Sequence, residues 1–144
     1  MSTVVVGVDG SAGSVAALRH AIEEAKLRNA GLNAVAAWNV PPLAYEAEWT
    51  AAELDPKTFE EAANSALANA LAGVDTTGVD VTRTVREGQP ADVLLLEARE
   101  ADLLVVGSRG MGGFRGLLLG SVSQQCTQHA TGPVTVVPHP HTEG

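Results

Sequence analysis

Six glycines stand between an apolar run and a serine that opens a helical pattern, an arrangement typical of loops that bind phosphate. The run at residues 103–106 predicts a buried strand, and Ser121 lies at the start of the helical pattern. Glycine lets the main chain approach a ligand, and a helix N-terminus supplies unpaired N–H groups and a partial positive charge. The stretch therefore predicts a phosphate site, with Arg109 and the hydroxyls of Ser121 and Ser123 as additional donors. The glycines are Gly107, Gly110, Gly112, Gly113, Gly116 and Gly120.

Two better-known phosphate motifs do not fit this stretch. A P-loop needs Gly-Lys followed by Ser or Thr, but Leu119 precedes Gly120 and the loop contains no lysine. The dinucleotide pattern Gly-x-Gly-x-x-Gly fails as well, since Arg115 stands where a third glycine would follow Gly110 and Gly112. The glycines alone would also fit a flexible surface loop, so their interpretation depends on what the fold places beside them.

Composition limits the class of protein. The 144 residues suit one domain, and with 45% hydrophobic but 3% aromatic residues the core must consist mainly of Val, Leu, Ala and Ile. A formal net charge of −8 argues against nucleic acid as a partner, because phosphate backbones attract basic surfaces. No apolar run approaches the roughly 20 residues of a membrane span. Cys126 is the one cysteine, so no internal disulfide is expected. A strand pattern begins at Thr3 and no signal peptide is evident, so the chain is expected to be cytoplasmic.

Strand and helix patterns alternate along the chain. Residues 1–138 are predicted to form one α/β domain, in which residues 39–55 are an acidic irregular segment. Residues 139–144 are expected to be a disordered tail. The predicted strands are 3–8, 32–38, 79–85, 102–107 and 134–137, and the predicted helices are 13–29, 56–72, 90–100 and 120–130.

The alternation predicts a doubly wound open sheet of five parallel strands in the order 3-2-1-4-5, with helices on both faces, which is a Rossmann-like fold. Strands one and four are then neighbours whose connections leave toward opposite faces of the sheet. Ligands bind at such a switch point, beyond the carboxyl ends of the strands. Residues 8–10 and 107–109 should meet there, which places Asp9 across a crevice from the glycine-rich loop.

The spacing Gly107-x2-Gly110-x9-Gly120-Ser121 resembles the nucleotide-binding signature of the universal stress protein family, in its ATP-binding branch. The segments 4–11 and 129–138 extend the resemblance along the chain. It implies an adenine nucleotide alpha hydrolase-like fold that binds ATP, or ADP or AMP, with Mg²⁺ carried on the phosphates as a further option. It also implies that the Asp9 carboxylate holds the ribose hydroxyls and that the Ala37 backbone contacts adenine. The predicted nucleotide-binding residues are Gly7, Val8, Asp9, Ala37, Val106, Gly107, Arg109, Gly110, Gly120, Ser121, Val122 and Ser123.

The resemblance implies a nucleotide-dependent stress-response or signalling module that passes its nucleotide state to a protein partner of unknown identity. It also implies a homodimer formed through the last strand, which would lie at an edge of the sheet. Two alternatives stay open. One is a slow ATPase, for which the sequence offers no general base or metal ligand beyond Asp9. The other is a nucleotide-free interaction module, as in the family branch that lacks the glycine signature; the presence of that signature here favours nucleotide binding.

Asp9 has a second role open to it, because Asp followed two residues later by Ser is typical of a turn. In such a turn the carboxylate accepts a hydrogen bond from the amide of Ser11 or Ala12. Holding a ribose and closing a turn are compatible roles, so both stay open for this side chain.

Two further groups invite a chemical interpretation. Cys126 and His129 are three residues apart on a predicted helix, which suits either a nucleophile–base pair or a buried thiol beside a helix-end histidine. Without an evident orienting acid, we favour the second interpretation. His139 and His141 offer two metal ligands without a third, which makes a weak metal site.

Overall fold

Strands and helices alternate over the residues that the computed structural model describes, which are 2–40, 50, 54–109 and 120–138. The acidic segment 39–55 lies largely outside the described residues, and the tail 139–144 lies entirely outside them. The strands are β1 (Thr3–Gly7), β2 (Gly31–Trp38), β3 (Val81–Glu87), β4 (Leu103–Gly107) and β5 (Val134–Val137). The helices of the described part are α1 (Ala12–Arg28), α2 (Pro56–Ala72), α3 (Pro90–Glu97) and α4 (Ser121–His129).

The described strands form one parallel sheet in the order β3-β2-β1-β4-β5, so the predicted fold is confirmed. The central strand β1 pairs with β2 as far as Gly7, opposite Val35, and with β4 as far as Val6, opposite Val105. Its middle residues are fully buried, as expected for a valine-rich strand that is covered on both faces.

Helices cover both faces of the sheet. On one face, Leu18 of α1 and Leu67 of α2 pack into a core with Val4. On the other, Leu94 of α3 and Cys126 of α4 pack into a second core. Replacing a fully buried leucine by alanine costs about 2–5 kcal/mol, so each layer is a substantial part of the stability. Over the described residues, no helix combines the length and apolar character that a bilayer span requires.

The third strand begins two residues later than predicted. Val79 was expected in the strand, but its N–H donates to the carbonyl of Thr76 at 3.1 Å and so closes a turn. Gly78 in this turn has φ +84, a conformation that favours glycine. The pairing with β2 consequently starts at Val81, opposite Leu32.

The third helix ends earlier than predicted, at Glu97 rather than near residue 100. After that residue the N–H of Ala101 donates to the carbonyl of Ala98 at 3.1 Å, a tighter turn than the α-helix allows. The chain thereby turns into β4 over a few residues. Other predicted boundaries agree with the structure to within one or two residues.

Candidate functional site

The loops that follow β1 and β4 meet at the carboxyl edge of the sheet, as the topology predicts. Gly107, at the end of β4, lies directly under the first turn of α1. A methyl group on residue 107 would lie 2.9 Å from the carbonyl oxygen of Gly13, which is closer than real contacts allow. Glycine at position 107 therefore lets the start of α1 rest on the end of β4.

Asp9 is an exposed residue that directly follows the buried end of the β1 segment. Its Oδ1 accepts hydrogen bonds from the backbone N–H of Ser11 at 2.9 Å and from the hydroxyl of Ser11 at 2.6 Å. Its own N–H donates to the hydroxyl oxygen of Ser14 at 3.3 Å. The turn predicted from the sequence is thus confirmed for Ser11, and the role toward ribose stays a prediction.

The start of α4 returns to the end of β4. The N–H of Gly120 donates to the carbonyl of Ser108 at 2.6 Å, and the hydroxyl of Ser123 donates to the same carbonyl at 3.0 Å. Ser123 is 2% exposed, and its hydroxyl also lies 3.0 Å from the carbonyl of Gly120. In this structure the hydroxyl therefore fastens the helix to the sheet, and its role toward a phosphate stays a prediction.

The first turn of α4 nevertheless has the features of an anion site. Its N-cap is Gly120, which is in an extended conformation and has no side chain of its own to cap the helix. The first backbone N–H groups, those of Ser121, Val122 and Ser123, have no acceptor within a helix, and the helix dipole adds partial positive charge there. Ser121 is exposed at the start of the helix. Half-buried Arg109 lies two residues past the end of β4.

Three other predicted residues belong to the sheet rather than to its surface. Gly7 lies under Leu94 of α3, since a methyl group at position 7 would be 2.8 Å from a Leu94 methyl carbon. The N–H of Val8 donates to the carbonyl of Val35 at 2.8 Å, and its side chain is 4% exposed. Val106 is 3% exposed. Gly7, Val8 and Val106 therefore build the floor beneath the crevice.

Ala37 lies near the carboxyl end of β2, opposite Arg86 of β3, and is half-buried. Asp9 and Ala37 both stand two residues beyond the paired Gly7 and Val35, which places them at one level along the carboxyl edge of the sheet. Gly110, like the rest of residues 110–119, lies outside the described residues.

A cavity of about 480 Å³ lies elsewhere in the molecule, between α3 and the end of α4. It is at the amino ends of β4 and β5, the opposite end of the strands from the crevice. Its lining residues include Leu95, Leu96, Arg99, His129 and Pro133. It contains none of the residues predicted to bind nucleotide.

The environment of Cys126 supports packing over chemistry. The residue is fully buried, and burial raises the pKa of its thiol to about 11, so that it stays protonated at neutral pH. His129 is exposed at the last turn of α4. Among the described residues no group of three or more His, Cys, Asp or Glu is arranged to hold a metal ion, and His139 and His141 lie outside those residues.

The fold and the site together define a class: a doubly wound α/β protein with a glycine-capped helix start and a carboxylate at the switch point of its sheet. The sequence profile of the universal stress protein family matches residues 1–138. The chain belongs to that family.

Curated relatives carry the same family name. A universal stress protein of Mycolicibacterium smegmatis is 43% identical over 140 residues, which cover 93% of this chain and 45% of that protein. One of Methanocaldococcus jannaschii is 34% identical over 145 residues, covering 97% of this chain and 84% of that protein. The chain thus spans about half the length of several relatives that it matches.

Solved structures have the same fold. The universal stress protein UspA from Lactobacillus plantarum superposes with a TM-score of 0.78 at 24% identity, covering 94% of this chain and 97% of that one. A universal stress protein in complex with cAMP superposes with a TM-score of 0.63 at 30% identity, covering 96% of this chain and 98% of that one.

Proposed function

We propose that this universal stress protein binds an adenine nucleotide, with ATP as the principal candidate, in the crevice between the carboxyl ends of β1 and β4. The observation that carries the proposal is the first turn of α4, which has a glycine N-cap and is fastened to the end of β4 by Gly120 and Ser123. A helix start of this kind attracts phosphate. The structural relative in complex with cAMP supports an adenine nucleotide as the occupant.

Different residues would bind the three parts of the nucleotide. Phosphates would accept hydrogen bonds from the first N–H groups of α4 and from the Ser121 hydroxyl, with the Arg109 guanidinium nearby. The ribose would lie at Asp9, and the adenine toward Ala37, at the same level of the sheet edge. Mg²⁺ would enter on the phosphates, because the described residues offer no carboxylate cluster of their own.

Binding, rather than rapid turnover, is the proposed activity. Asp9 is the carboxylate that follows β1 at the switch point, and its Oδ1 already accepts two hydrogen bonds from Ser11. A general base for water attack needs a carboxylate that can take up a proton. We therefore propose a nucleotide-dependent stress-response module, with slow ATP hydrolysis as the most that the site would support. A cytoplasmic location stays a prediction.

Isothermal titration of the full chain with ATP tests the binding proposal. Gly120→Val places a branched side chain at the N-cap without backbone strain, because residue 120 is extended. We expect it to weaken ATP binding at least about tenfold. Gly132→Val is the matched control, since Gly132 is exposed and a methyl group there would approach no atom closer than 3.9 Å. Lack of binding by the unmodified chain at millimolar ATP, or equal binding by Gly120→Val, would refute the proposal.

We also propose a homodimer through β5, which is an edge strand of the described sheet and has four half-buried residues. The carbonyls of Pro133 and Val137 accept from β4, so the backbone of Val136 faces the free edge. Val136→Pro should remove a donor from that edge and shift the protein to monomer in light scattering, while Val136→Ala keeps the donor and should stay dimeric. A monomeric unmodified chain would contradict this proposal.

A further inference from the structure

Two serines hold Asp9 from two sides. Ser11 donates to the Asp9 carboxylate through both its N–H and its hydroxyl, at 2.9 and 2.6 Å. Ser14 accepts from the Asp9 N–H at 3.3 Å and donates its hydroxyl to the carbonyl of Ser11 at 3.0 Å. The hydroxyl of Ser11 also accepts from the N–H of Ser14 at 3.1 Å. Asp9, Ser11 and Ser14 thus form a closed ring of hydrogen bonds, which we call the serine ring.

The serine ring has little freedom to move. Ser14 is 5% exposed, so a lost hydrogen bond there is not readily replaced by water. Its neighbour Gly13 lies against Gly107, so the ring is seated on the end of β4. The same end of β4 is fastened to the start of α4 through Ser108. The Asp9 carboxylate therefore has a defined position relative to the first turn of α4.

We propose that Ser11 and Ser14 are positioning residues, which orient the Asp9 carboxylate so that the site selects ribonucleotides over 2′-deoxyribonucleotides. The inference rests on the proposed function, because it concerns the same crevice. A fixed carboxylate can accept from the two neighbouring hydroxyls of a ribose. A 2′-deoxyribose has lost one of those donors. Hydrogen bonds to a charged group discriminate strongly when the acceptor is held in one orientation.

The test is the ratio of the dissociation constants for 2′-deoxy-ATP and ATP, measured by isothermal titration with the full chain. We expect a ratio of about 10 or more for the unmodified chain and below about 3 for Asp9→Asn. Ser14→Ala should lower the ratio at least about threefold, while its affinity for 2′-deoxy-ATP changes less than about twofold. A loss of the ratio with retained affinity for the deoxy nucleotide is a result that a merely structural role would not produce.

The chain supplies a matched control. Thr77 donates to Asp75 through its N–H at 2.9 Å and its hydroxyl at 2.6 Å, in the turn between α2 and β3. Thr77→Ala should leave the nucleotide ratio unchanged. Ser14→Cys is the second variant, because it keeps nearly the volume of serine and weakens the hydrogen bonds, so that it folds even where Ser14→Ala does not.

The outcomes separate the two proposals. Failure of the unmodified chain to bind either nucleotide refutes the proposed function, and this inference with it. An unmodified chain that binds ATP without preferring it over 2′-deoxy-ATP refutes the inference alone. Ser14 variants that keep the full ratio, or that lose both nucleotides equally, also refute it.

Discussion

Two turns of this molecule have the same local chemistry and different surroundings. In the turn from Asp9 to Ser11 and in the turn from Asp75 to Thr77, a carboxylate accepts from the N–H and the hydroxyl of the residue two positions later. The distances are 2.9 and 2.6 Å in both turns. The first turn follows the central strand β1 and leads into α1. The second connects α2 to the edge strand β3.

The Asp-x-Ser/Thr turn is therefore a local structural motif, which by itself does not indicate a ligand site. In the second turn, the Thr77 hydroxyl and then its N–H lower the pKa of Asp75 from its ordinary value, which is the usual effect of donors on a carboxylate. What distinguishes Asp9 is its place at the switch point and the buried Ser14 behind it. Position in the fold, rather than the motif, therefore makes Asp9 a candidate for ligand binding.

The largest expected effect concerns one glycine beside each turn: Gly107 at the end of β4, under the first turn of α1, and Gly78 directly after Thr77. Gly107→Ala puts a methyl group 2.9 Å from the Gly13 carbonyl, so the first turn of α1 must move. We expect a loss of about 1–3 kcal/mol in the free energy of unfolding by urea, together with weaker ATP binding in calorimetry. Gly78→Ala forces alanine to φ +84 and should cost about 1 kcal/mol without affecting ATP.

An unchanged free energy of unfolding for Gly107→Ala would mean that α1 does not rest on β4 as the structure shows. A weaker ATP affinity in Gly78→Ala would mean that the two turns are not independent. Either result would contradict the structural difference between the two turns on which the comparison depends.

Replacing the hydroxyl residue of each turn by alanine should have a smaller effect on the free energy of unfolding. This effect should again differ between the two turns. Ser11 is also the N-cap of α1, since its hydroxyl accepts from the N–H of Ser14. Ser11→Ala should therefore lower the free energy of unfolding by about 1–2 kcal/mol. Thr77 is exposed and caps no helix, so Thr77→Ala should stay within about 0.5 kcal/mol of the unmodified chain. Urea unfolding at neutral pH measures both values, and equal losses would show that the cap contributes nothing.

Much of this structure could be predicted from the sequence, because the relevant signals are local. The valine-rich segment at residues 4–6 indicates a strand buried on both faces, and the alternation of elements then leads to the sheet order. Ser11 is recognisable as a helix start from its residue type. The sheet order in turn brings Asp9 toward Gly107, although the two are far apart in the chain.

What could not be predicted depends on contacts between distant segments. Gly7 is needed for the approach of Leu94, whose place on α3 no local pattern reveals. The Ser123 hydroxyl resembles a ligand donor in the sequence, but it bonds to Ser108 because α4 packs against the end of β4. The late start of β3 depends on the turn that Val79 closes with Thr76. In each case a long-range or turn-specific contact determines the role of the residue.

Lowering the pH should change the stability of the variants least of all, but it should distinguish the two turns most clearly. Because hydrogen bonds from Thr77 lower the folded-state pKa of Asp75, the unfolded chain binds more protons as the pH falls through about 4. The stabilisation is fully present above the unfolded pKa and is lost as the pH falls through the folded one. We expect the difference in urea midpoint between the unmodified chain and Thr77→Ala to be small at about pH 7 and to decrease as the pH falls below about 4.

Ser11→Ala, measured in parallel, should behave differently. The cap bond from the Ser14 N–H to the Ser11 hydroxyl involves no titrating group, so its loss is felt at every pH. We therefore expect the Ser11→Ala difference to persist below about pH 4, over the range in which the Thr77→Ala difference decreases. A Ser11→Ala difference that is lost at low pH would contradict the role of the cap bond, and a Thr77→Ala difference that does not decrease would contradict the charge dependence inferred for Asp75.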